Sequence, residues 1–109
     1  MNSKKVGVLG CTGSIGKNTL AVVKALEPSF DVVFLACRKN VRELAGQVRE
    51  YEPTAIAVTG SLDSREEEIL ADLRDPRVYR GEEGLLQMIA DTEVDVVVNL
   101  TAVKSGRWT

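Results

Sequence analysis

The sequence contains no histidine, so the side chain most often used for proton transfer near neutral pH is missing from any chemistry this chain performs. Cysteine is confined to Cys11 and Cys37, which stand in neither a CxxC pair nor a metal-ligand spacing. That argues against a zinc site and leaves two free thiols as the default for a cytosolic protein. Charge of one sign is also lacking: 14 Lys and Arg oppose 16 Asp and Glu, for a net charge of −2. Such a balance gives no general attraction to nucleic acid or to an anionic membrane, so neither is expected as a partner, and any positive field must be local. No apolar run approaches the roughly 20 residues of a membrane-spanning helix. The opening MNSKKVGVLG goes straight into a strand pattern without the apolar core of a signal peptide. A cytoplasmic location is the expectation.

What is present is ordinary bulk with one unusual stretch. The 109 residues, 44% apolar and 28% charged, suit one soluble globular domain with its own core. The stretch runs from Lys5 to Leu20, KVGVLGCTGSIGKNTL. Val6, Val8 and Leu9 suit a buried parallel strand, and Gly10 ends it where the backbone must turn. Thr12, Gly13, Ser14 and Ile15 then open a helix. Gly10, Gly13 and Gly16 give a GxxGxxG spacing, a variant of the commoner GxGxxG that also serves dinucleotides. Glycine lets a pyrophosphate approach the backbone, and the free N–H groups of a helix N-terminus attract it. A tight strand-to-helix turn without a ligand would use the same residues. A mononucleotide P-loop is disfavoured, because the glycine spacing is wrong and Asn18 follows Lys17 where Ser or Thr should stand. Cys11 lies near the helix N-terminus, a place that can lower a thiol pKa, but a small residue filling a turn is the favoured account. Both cysteines end predicted strands, which makes them candidate neighbours.

The helix from Ser14 to Leu26 carries Ile15, Leu20, Val23 and Leu26 at helical spacing, so that face is expected on the sheet. Asp31 to Cys37 (DVVFLAC) reads as a second central strand, completing a βαβ unit. Arg38, Lys39 and Asn40 follow at its carboxyl end. An NAD-binding protein usually offers an acid there to the ribose 2′-OH; two cations and an amide instead suit a 2′-phosphate, and so NADP. A solvated basic loop leading into the next helix is the plainer alternative.

Val41 to Tyr51 is predicted as the second helix, Ala55 to Val58 as the third strand and Leu62 to Leu73 as a charged third helix. Glu66, Glu67 and Glu68 point in diverging directions on that helix and do not make a metal site. Val78-Tyr79 is a brief extended segment. A fourth helix follows Gly81, and Val94 to Leu100 is a strong fourth strand with Asn99 and Thr101 at its carboxyl end. The expected fold is α/β, a doubly wound Rossmann-like parallel sheet with strand order 3-2-1-4, in a single domain. This last strand, apolar on both faces, is expected to lack a covering helix.

Four segments together carry a family resemblance. GCTGSIGKNTL resembles the opening motif of the 1-deoxy-D-xylulose 5-phosphate reductoisomerases, and LACRKN, RGEEGLLQMIA and VDVVVN are similar to later segments of that family in the same order. The resemblance covers about residues 5 to 101. It implies NADPH as cofactor, with Thr12, Gly13, Ser14 and Ile15 at the pyrophosphate and Arg38, Lys39 and Asn40 at the adenosine 2′-phosphate. It implies conversion of 1-deoxy-D-xylulose 5-phosphate, a sugar-phosphate substrate, to 2-C-methyl-D-erythritol 4-phosphate in non-mevalonate isoprenoid synthesis. It further implies a divalent metal, Mg or Mn, whose ligands lie in parts of the family's sequence not found here, and a homodimer at full length. No catalytic residue is assigned. Two departures stand out: Cys11 replaces the usual Ser, and residues 102–109 leave the family pattern. Residues 1–101 therefore read as the NADPH-binding domain of a truncated chain, inactive alone, with 102–109 as a tail. A free-standing NADP-binding module, a redox sensor or partner protein without catalysis, is the alternative.

Overall fold

The computed structural model describes residues 3–101; the tail assigned to residues 102–109 lies outside the described residues. Lys4–Leu9 forms β1, and its alternation sets Val6 and Val8 on one face of the sheet and Leu9 on the other. Helix α1 (Ser14–Ala25) leads to β2 (Phe30–Cys37), and α2 (Val41–Tyr51) leads to β3 (Ala55–Val58). Helix α3 (Ser64–Ala71), β4 (Arg77–Arg80), α4 (Gly81–Asp91) and β5 (Val96–Asn99) complete the order. All four strand pairings are parallel, and the sheet runs β4-β3-β2-β1-β5.

The expected doubly wound α/β sheet is therefore present. The strand read as fourth is β5, on the far side of β1 as anticipated. The sheet gains one edge member beyond β3, because Val78-Tyr79 belongs to a four-residue strand, RVYR. Charged ends and exposed residues are what a short sheet edge tolerates, and they hide it from a search for apolar runs. Arg80 is tied to Glu67 of α3 by two hydrogen bonds of 2.9 and 3.0 Å.

Two apolar layers sandwich the sheet. One packs Val8, Leu35, Ile56 and Val58 under Leu20 of α1, Leu44 and Val48 of α2, and Leu70 of α3. The other sets Phe34, Ala36 and Ala57 against Met88 of α4. The face of α1 differs from the sequence expectation: Ile15 and Leu26 are 67% and 48% exposed. Gly16 and Leu20 are buried and Val23 packs on the core, an i, i+4, i+7 stripe in which a glycine takes the place foreseen for Ile15. On β5, Val96 and Val97 are exposed.

Candidate functional site

The carboxyl ends of β1, β2, β3 and β5 meet at one side of the sheet, where the chain reverses direction across it. There they border an open cleft of about 630 Å³, a size that suits a small-molecule ligand. Ligands of open α/β sheets collect in this crevice because helix N-termini and flexible loops face it.

The glycine turn forms one wall. Gly10 has φ of +87°, and a Cβ there would lie 2.9 Å from the Leu100 carbonyl carbon, so both conformation and space demand glycine. The Gly10 and Cys11 N–H groups both donate to the Ala36 carbonyl, at 2.8 and 3.0 Å, pinning the turn to β2. Gly16 brings α1 flush against this turn; a Cβ would overlap the Gly10 carbonyl oxygen and sit 2.7 Å from the Cys11 carbonyl carbon. Helix α1 begins at Gly13 with no side-chain cap and no acid in its first turn. Its leading N–H groups thus remain available to an anion. The Cys11 carbonyl accepts a 2.8 Å hydrogen bond from Gln47 Nε2 of α2.

Both thiols are buried, Cys11 fully. Burial pushes Cys37 up to about 12. Burial, and secondarily the neighbouring Cys37, raises Cys11 as well. The helix N-terminus therefore does not activate Cys11; the thiol fills space beneath the turn. The two cysteines are neighbours and free.

The opposite wall comes from the end of β2 and from β3. Arg38 lines the cleft beside Cys37. Its carbonyl accepts from the Gly60 N–H at 2.8 Å, and the Thr59 N–H donates to the Cys37 carbonyl at 3.1 Å, so the turn after β3 braces the basic loop. Lys39 sits beside this loop with Nζ 3.7 Å from Glu66 Oε1. Asn40 caps α2, its side-chain oxygen accepting from the Glu43 N–H at 3.2 Å. Of the seven candidate residues, Thr12, Gly13 and Arg38 line the cleft. Ser14 and Ile15 occupy the first turn of α1 above it, and Lys39 and Asn40 flank its basic side. Sequence reasoning did not single out Thr59, Glu82, Leu85 and Leu100, which also line it. Thr101, foreseen at the ligand side, lines it too and holds Asn99 Oδ1 through its hydroxyl at 2.6 Å.

The family model for 1-deoxy-D-xylulose 5-phosphate reductoisomerase matches residues 6–106. The chain belongs to this family. A reductoisomerase of Desulfitobacterium hafniense is 42% identical over 105 residues, which cover 95% of this chain and 26% of that protein. One from Protochlamydia amoebophila is 38% identical over 115 residues, again 95% of this chain and 29% of the relative. A crystal structure of DOX-P reductoisomerase in complex with NADPH, fosmidomycin and magnesium superimposes with a TM-score of 0.74 at 26% identity, covering 86% of this chain and 23% of that one. The Zymomonas mobilis reductoisomerase in complex with NADPH gives a TM-score of 0.65 at 26% identity, over 79% of this chain and 23% of that one. The chain thus spans about a quarter of the length of the relatives it matches.

Two further features bear on the family's ligands. The cleft fits a dinucleotide phosphate chemically, with an uncapped helix N-terminus on one wall and an arginine on the other. Among the described residues, no group of three or more Cys, Asp or Glu side chains is placed to hold a metal ion. No helix among the described residues is long and apolar enough to cross a membrane.

Proposed function

We propose that the chain is the NADPH-binding part of a cytoplasmic reductoisomerase that converts 1-deoxy-D-xylulose 5-phosphate to 2-C-methyl-D-erythritol 4-phosphate in non-mevalonate isoprenoid synthesis. The observation that carries this reading is the pairing of an uncapped α1 N-terminus with Arg38 across one cleft at the carboxyl ends of the strands. In this reading, the N–H groups at Thr12, Gly13, Ser14 and Ile15 hold the pyrophosphate, their partial positive charge opposing the phosphate oxygens. Arg38 and Lys39 hold the 2′-phosphate, the guanidinium through its planar donor fork and the ammonium as a point charge. Asn40 contributes by fixing the start of α2, which sets the direction of that loop.

NADPH, when bound, supplies the hydride; the role of these residues is to orient it. The sugar phosphate, the divalent metal and the homodimer contacts belong, in this proposal, to the remaining three quarters of a full-length relative. The 109-residue chain is therefore expected to bind cofactor and to turn nothing over.

The test is a calorimetric titration of the chain with NADPH and separately with NADH. Tighter binding of NADPH, lost in the Arg38→Ala/Lys39→Ala variant, is the expected result. Equal affinity for the two cofactors would refute 2′-phosphate recognition by the basic loop.

A further inference from the structure

The core layer beneath α1 and α2 is apolar with one exception. Gln47, between Leu44 and Val48 on the inner face of α2, is 5% exposed and is the buried polar side chain of the described core. Its Nε2 donates to the Cys11 carbonyl at 2.8 Å, across 36 positions in sequence, while its Oε1 is buried without a partner. The amide orientation is set by its acceptor, since the oxygen turned toward the Cys11 carbonyl would face another lone pair. A leucine here would fill the same layer without the orphaned Oε1, but it would leave the Cys11 carbonyl without this donor. The glutamine is thus costly for packing alone, and what it gains is control of one peptide group.

That peptide joins Cys11 to Thr12. In a trans peptide the carbonyl and the following N–H point in opposite directions. Drawing the Cys11 carbonyl in toward α2 therefore turns the Thr12 N–H outward, on the side of the cleft that Thr12 lines. Among the described residues that N–H has no backbone acceptor. We propose that Gln47 is a positioning residue for the cofactor pyrophosphate: it locks the Cys11–Thr12 peptide so that the Thr12 N–H is presented to a phosphate oxygen. The proposal rests on the NADPH reading above. It adds a residue on another helix that touches no ligand and acts through the turn.

Three measurements on the 109-residue chain decide it. Gln47→Leu removes the donor at similar volume, and should weaken NADPH by about tenfold, the scale of one lost hydrogen bond to a charged group. The same variant should leave 2′-AMP, which reaches only the basic loop, within about twofold of the unchanged chain. Gln47→Glu supplies a readout that a packing defect does not move. A buried carboxyl is held neutral by desolvation at acid pH and donates as the amide did. Its affinity for NADP⁺, taken relative to the unchanged chain at each pH, should be poor at pH 8 and recover toward pH 5.5. Finally, in the unchanged chain the Thr12 amide resonance should shift on adding NADP⁺. Undiminished NADPH binding by Gln47→Leu, parallel loss of NADPH and 2′-AMP, absence of acid recovery, or a static Thr12 amide would each overturn the proposal. Failure of the unchanged chain to bind NADPH at all would instead overturn the cofactor reading beneath it.

Discussion

Replacing Gly16 by alanine separates two effects that usually travel together. In the interior of a helix, alanine is favoured over glycine by about 1 kcal/mol. Here the added methyl would overlap the Gly10 carbonyl oxygen and stand 2.7 Å from the Cys11 carbonyl carbon, where ordinary contacts begin at 3.4 Å. Helix α1 or the turn must therefore give way by at least about 0.7 Å. Overpacking of this kind costs about 1–3 kcal/mol, so the net change is a destabilisation of about 0–2 kcal/mol. For a domain of this size, that lowers the melting temperature by up to roughly 16 °C. Binding should suffer more than folding. The turn that must move leads directly into the N–H groups proposed to hold the pyrophosphate, and a misplacement near 1 Å can cost about a hundredfold where geometry is exacting. Differential scanning calorimetry and NADPH titration of Gly16→Ala, both at 25 °C or referred to it, give the two numbers. NADPH affinity more than tenfold weaker in a chain that still melts cooperatively is the expected result. Unchanged affinity would refute the view that close approach of α1 to the turn builds the phosphate site.

Three further predictions concern the surroundings of the cleft. Glu66→Gln retains the capping box with Asp63, since glutamine serves that position as glutamate does, but removes the carboxylate beside Lys39. NADPH affinity should rise a few-fold by titration, with the gain shrinking as salt is added. Asn40→Asp preserves the α2 cap and so the melting temperature, while placing a negative charge next to the basic loop. NADPH should weaken more than NADH, whereas Asn40→Ala should cost about 1 kcal/mol in a denaturant titration. A thiol that ionises near 9 when unfolded, but near 12 when folded at Cys37, binds its proton more tightly in the native state. Its stabilising contribution is complete below about pH 9 and is lost as pH rises from there toward 12. Urea midpoints should fall over that range, and the fall should flatten in a Cys11→Ala/Cys37→Ala variant.

The parts of the site legible in sequence were those written in consecutive residues. The strand, glycine turn and helix from Lys5 to Leu20 are one local unit, and so is the step from Cys37 into Arg38. Their chemistry follows from backbone rules that hold wherever the chain goes next. Thr59, Glu82, Leu85 and Leu100 could not be read this way, because each enters the cleft through topology: β3 and β5 end beside the turn, and α4 crosses to the sheet's other face. The edge strand β4 was read only as a brief extended segment at Val78-Tyr79, outside the sheet, since pairing with β3 makes RVYR a strand where its own pattern does not. Gln47 resembled an ordinary helix residue between apolar neighbours; only the approach of the Cys11 carbonyl reveals its use. The period of α1 misled in the opposite sense, as an isoleucine was credited with burial that a glycine performs.

The placement of β5 carries a consequence for how the chain comes into being. Strand β1 is made well before its second neighbour, and the Lys5 N–H waits for Asp95, 90 residues on, to accept it at 2.7 Å. Closing so long a loop is slow relative to the local βαβ contacts on the other side. On a ribosome adding about 5–20 residues per second, roughly 3–12 s separate the completion of β2 from that of β5. Through that interval a nascent β1 presents an open edge, and the cleft has no Leu100 or Thr101 wall. A cofactor bound as proposed therefore cannot rescue an early intermediate: whatever shields the growing chain must act before the nucleotide does.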